Sequence, residues 1–77
     1  MDTRPNWEPA KTTVPDLLPV LMCMGTDTYD GVQITLYKHV DTRRYINLGA
    51  DGTAYDIRTE TTATEISLDD AKSHLLS

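Results

Sequence analysis

From Val32 onward apolar and polar residues alternate. Val32, Ile34 and Leu36 are separated by Gln33, Thr35 and Tyr37, the period-two pattern of a strand with one buried face. Two later runs repeat it: Ile46 and Leu48 alternate with Tyr45 and Asn47, and Tyr55 and Ile57 with Asp56 and Arg58. Between them lies Asp51-Gly52, the pair favoured in a two-residue type I′ hairpin turn. With Ala50 and Thr53 flanking that turn, Leu48 falls opposite Tyr55, Ile46 opposite Ile57, Asn47 opposite Asp56 and Tyr45 opposite Arg58. Apolar residues then meet apolar residues on one face. A hairpin turning through Val40 to Thr42 extends the register, with Leu36 opposite Ile46 and Tyr37 opposite Tyr45. The pattern predicts a three-stranded antiparallel meander over about 32–38, 44–49 and 53–59.

Beyond it, residues 59–64 are polar and threonine-rich and read as a loop or a frayed strand end. Ser67 followed three residues later by Asp70 resembles a capping box, and Leu68, Ala71 and Leu75 share one helical face. A C-terminal helix over 68–76 would therefore cover the apolar side of the sheet, which makes the fold class α+β. Upstream, residues 17–24 are apolar on all sides. Asp16, Pro19 and Gly25 suit the cap, first turn and end of a short helix, while the same run also suits a buried strand. Residues 25–31 read as a polar loop. Residues 1–15 hold Pro5, Pro9, Pro15 and the only tryptophan, Trp7. They read as an irregular or disordered arm preceding a single small domain over 16–77.

Length narrows the functional classes. A chain of 77 residues is one small domain and has little interior to spare for a walled catalytic cleft. The formal charge of −5 argues against a polybasic nucleic-acid binder. The acidity belongs to the flanks, however. The meander carries Lys38, Arg43, Arg44 and Arg58 against Asp41, Asp51 and Asp56, so its own balance is slightly positive. No apolar run is long enough to span a bilayer, and no secretory leader pattern opens the sequence. One unpaired cysteine, Cys23, makes an internal disulfide impossible and fits a reducing, cytoplasmic setting.

Candidate chemistry is sparse. Cys23, His39 and His74 are far apart and lack paired ligand spacing, so neither a metal nor a cofactor is expected. Cys23 sits in an apolar run, where a thiol is inert, and His39 reads as an exposed turn residue. No catalytic residue is assigned, and the chain is expected not to be an enzyme. What remains is the polar face of the meander. By the expected register it gathers Tyr37, Tyr45, Asn47 and Arg58, with Arg43 beyond and Trp7 available from the arm. Tyrosine, tryptophan and arginine are the residues that dominate protein-binding hot spots. The expected function is a non-catalytic interaction module of regulator or inhibitor type that binds a protein partner. The alternative is nucleic-acid binding through the same face by stacking and base-edge contacts. An unpaired edge strand also leaves a homodimer by edge pairing open.

Overall fold

The computed structural model describes residues 6–57 and 62–77. They form an α+β fold with one five-stranded antiparallel sheet whose spatial order follows the chain. Helix α1 (Glu8–Thr13) and a 3-10 helix (Pro15–Val20) lead into strands β1 (Leu21–Tyr29), β2 (Val32–His39), β3 (Tyr45–Gly49), β4 (Ala54–Ile57) and β5 (Ala63–Ile66). Helix α2 (Leu68–Leu76) closes the chain. The predicted meander is present as β2–β3–β4, and a further strand flanks it on each side.

The extra strand β1 comes from segments read as an ambiguous apolar run and a polar loop. Pro15 and Pro19 hold residues 15–20 in a tight 3-10 turn, and at Leu21 the backbone becomes extended (φ −107°, ψ 144°). The run over 17–24 is thus half helical turn and half strand. The expected loop over 25–31 is the outer half of β1 followed by a hairpin turn. Asp30 and Gly31 both have positive φ (51° and 80°), and Tyr29 pairs with Val32, which is the type I′ arrangement. A bulge between Cys23 and Gly25, where Gly25 has φ 122°, re-aims the strand. Strand β5 takes up Ala63 and Thr64 of the threonine-rich segment read as a loop or a frayed strand end. Within the arm read as irregular, Glu8–Thr13 is helical and Ala10 is fully buried.

Both expected hairpin registers are displaced by one residue. Asn47 lies opposite Tyr55 and Leu48 opposite Ala54. The cause is the turn: Asp51 has no positive φ, and Gly52 alone does (88°). Type I′ needs both, so Ala50, Asp51 and Gly52 form a three-residue loop, closed by Gly49 N–H to Thr53 O (2.8 Å) and Gly52 N–H to Gly49 O (2.9 Å). The β2–β3 turn also takes in one residue more than expected. Arg43 adopts φ 64°, His39 N–H bonds Arg44 O, and Tyr37 falls opposite Ile46 rather than Tyr45.

A one-residue shift exchanges the faces of a strand. Tyr37 therefore joins Leu21, Ile46, Leu48 and Ala54 in the core, where Ala10, Val14, Leu17, Ala71 and Leu75 from the helical elements meet them. The C-terminal helix forms as predicted. Ser67 Oγ accepts from the Asp70 N–H (3.1 Å), and the Leu68, Ala71 and Leu75 stripe packs on the sheet.

Candidate functional site

All helical elements among the described residues pack on one face of the sheet. The alternate strand positions form the other face, which no described helix covers. Leu36, Lys38, Tyr45, Asn47, Tyr55 and Ile57 lie on it by register. A depression of about 280 Å³ there is lined by Tyr29, Leu36, Tyr45, Asn47 and Ile57. A second cavity, about 300 Å³, shares Tyr45, Asn47 and Ile57 and extends to Ile66, Ala71 and His74. The two meet where β3 and β4 separate.

The six residues expected to bind a partner are not brought together. Tyr45 is 39 % exposed and stands on the helix-free face, with Lys38 Nζ 5.7 Å from its ring centroid in a cation–π contact. Asn47 shares that face but is buried. Its Nδ2 donates to Tyr55 O (3.2 Å), and its Oδ1 is shut off from solvent with no hydrogen-bond partner among the described residues.

Tyr37 is on the opposite face, fully buried. Its hydroxyl donates to Asn6 O, and burial pushes the pKa of that hydroxyl up to about 12. Trp7 is half-buried and stacks on Tyr37, with ring centroids 5.4 Å apart and 34° between planes. Both are therefore core residues. Arg43 is exposed at the β2–β3 turn, away from the depression's lining, and Arg58 lies outside the described residues.

His39 is not the exposed turn residue expected. It is 6 % exposed, and its Nδ1 accepts from the N–H groups of Asp41 (3.1 Å) and Thr42 (3.3 Å). The imidazole thus caps the turn. Cys23 is half-buried against the core, its thiol facing Asn6 O at 3.8 Å.

Tyr29, Leu36, Tyr55 and Ile57 are not expected on this face from the alternation alone. The signal for Tyr29 is Asp30-Gly31, the same dipeptide type as at 51–52. For the others it is the length of the two turns, which decides register and hence face.

Among the described residues no group of three or more His, Cys, Asp or Glu side chains is placed to hold a metal ion. No described helix is long and apolar enough to cross a membrane. A scan of protein-family models and searches of curated proteins and of solved structures found no match for the chain.

Proposed function

We propose that this chain is a small, acidic, non-catalytic interaction module of regulator or inhibitor type that binds a protein partner through the helix-free face of its sheet. The observation that carries the reading is the depression lined by Tyr29, Leu36, Tyr45, Asn47 and Ile57. It is concave, mixed aromatic and aliphatic, and includes exposed Tyr45, whose ring the half-buried Lys38 ammonium approaches, the composition of an interface centre with a polar edge. Tyr45 and Asn47 stay in the binding set, Leu36 and Ile57 enter it, and Tyr37 and Trp7 leave it because they are consumed by the core. The acidic flanks favour a basic partner, and the single thiol suits the reducing cytoplasm.

The test is affinity capture under cross-linking with the parent chain, Tyr45→Ala, Ile57→Ala and a control on the helix side, Leu76→Ala, which is 52 % exposed in the parent. A protein enriched by the parent and Leu76→Ala, lost from both face variants and indifferent to nuclease supports the reading. Equal capture by all four chains sinks it. Capture that vanishes with nuclease transfers the face to the nucleic-acid alternative.

A further inference from the structure

The edges of the sheet, β1 and β5, are built differently. An edge strand presents unpaired backbone groups that a strand of another chain can join, and proteins blunt such edges by several devices. Strand β5 is only four residues long and gives way at once to the Ser67 cap of α2. Strand β1 is nine residues long, carries no lysine, arginine or proline, and is exposed throughout residues 24–28. Shortness does not protect it.

The parity of the ladders shows which backbone groups of β1 point outward. His39 N–H bonds Arg44 O, so His39 and the odd positions of β2 face β3. Lys38, Leu36, Ile34 and Val32 therefore face β1, where they pair with Met22, Gly25, Asp27 and Tyr29. Leu21, Cys23, Thr26 and Thr28 are left pointing away from the sheet. The Leu21 N–H is engaged with Leu18 O in the 3-10 turn, and the bulge between Cys23 and Gly25 breaks the line beyond Cys23. The regular part of the edge is Thr26 to Thr28.

Asp27 stands at its middle. Its Oδ1 accepts the Thr28 N–H at 2.8 Å, so an outward donor of the edge is already occupied by the neighbouring side chain. Two copies joined antiparallel about a two-fold axis here would set Thr26 opposite Thr28 of the second copy, each exchanging both backbone bonds with its opposite. Half of those bonds need the occupied donor. Asp27 would then face its own counterpart in the non-hydrogen-bonded position, where Cα atoms approach to about 4.5 Å. Like charges directly opposite destabilise a strand pair, and β1 has no cation to offset them. Its threonines are otherwise good strand formers.

We propose that the outer edge of β1 is a latent docking strand for a second copy of this chain, held shut by Asp27 through its charge and its bond to Thr28. Homodimerisation by edge pairing is thus prepared in the sheet and blocked at one residue.

The test is sedimentation equilibrium, with amide exchange followed by NMR, on the parent chain, Asp27→Val, Asp27→Thr, Asp27→Asn and Asp30→Asn. Asp30 lies exposed in the adjoining turn at φ 51°, a conformation asparagine tolerates, so its variant controls for the loss of one negative charge. The parent and Asp30→Asn should sediment as one chain. Asp27→Val and Asp27→Thr should approach the mass of two chains as concentration rises, with exchange at Thr26 and Thr28 slowed by about tenfold or more. Asp27→Asn loses the charge but keeps an acceptor for Thr28, so its dimer should be the weaker one. The threonine variant carries the test if the valine variant fails to fold. Folded Asp27→Thr that stays monomeric up to its solubility limit overturns the proposal. So does a parent that already dimerises, or a dimer in which Thr26 and Thr28 exchange as fast as in the monomer. A dimer as strong in Asp27→Asn as in Asp27→Val overturns the part assigned to the bond.

Discussion

The Tyr37 hydroxyl donates to the backbone carbonyl of Asn6, 31 residues earlier in the chain. Trp7 covers the same ring, and Asn6 Nδ2 donates to Thr35 Oγ1 at 3.3 Å. The segment before α1 is thereby strapped to the centre of β2. Tyr37→Phe keeps the ring contact and removes the bond, leaving the Asn6 carbonyl with only the weak Cys23 thiol donor. A loss of about 1 kcal/mol is expected from urea denaturation. A variant as stable as the parent would mean that the strap is held by ring packing alone.

The same hydroxyl makes stability depend on alkaline pH. Burial raises its pKa from 10.0 to about 12 in the folded chain, so the native state keeps its proton longer than the unfolded state does. The contribution is complete below about pH 10 and is lost as pH rises towards 12, on the order of 2–3 kcal/mol across the window. The readout is the difference between parent and Tyr37→Phe denaturation curves, which should shrink as pH rises above about 10 and change sign as it approaches 12. A constant difference would argue that the hydroxyl is not desolvated.

Gly52 holds the end of α1 against the β3–β4 turn. Its φ is 88°, and a Cβ built on it would meet Thr13 Oγ1 at 2.5 Å. Gly52→Ala should cost roughly 2–3 kcal/mol, combining left-handed strain with overpacking. In a Thr13→Ala background the same change should cost only the strain, roughly 1–2 kcal/mol. Equal losses in both backgrounds, measured by thermal unfolding, would show that Thr13 swings away freely.

These residues also mark how far the sequence can be read. Alternation locates β2, β3 and β4, and Ser67 with its Leu68, Ala71 and Leu75 stripe locates α2, because each signal is local. The faces are not legible in the same way. Tyr37 and Leu36 are one position apart, and an additional turn residue at Arg43 decides which of them enters the core. Asp51-Gly52 illustrates the difficulty: the dipeptide that makes a type I′ turn at Asp30-Gly31 makes a three-residue loop at Ala50 to Gly52. Of the candidate site, Tyr45 and Asn47 are legible in the sequence. Tyr29, Leu36 and Ile57 are not, since their shared depression depends on the strands' mutual register and the opening between β3 and β4.

His39 organises the β2–β3 turn through an acceptor rather than through charge. His39→Ala removes the partner of the Asp41 and Thr42 N–H groups and should cost roughly 2 kcal/mol. Asparagine can accept from a backbone N–H two residues on, so His39→Asn should lose distinctly less in the same urea assay. If the two variants were equally unstable, packing of the buried ring would outweigh the hydrogen bonds and the acceptor role would fall.

Asn47 sets one hydrogen bond made against one left unmade. Its side chain contributes one hydrogen bond, to Tyr55 O, and carries one buried acceptor without a donor. A hydrogen bond nets about 1 kcal/mol, while a buried unpaired acceptor costs about 1–3 kcal/mol. Leucine is close to asparagine in shape and brings neither. Asn47→Leu should therefore be at least as stable as the parent in urea. If Asn47→Leu proves less stable by more than about 1 kcal/mol, Oδ1 is satisfied in the free protein, most simply by an ordered water.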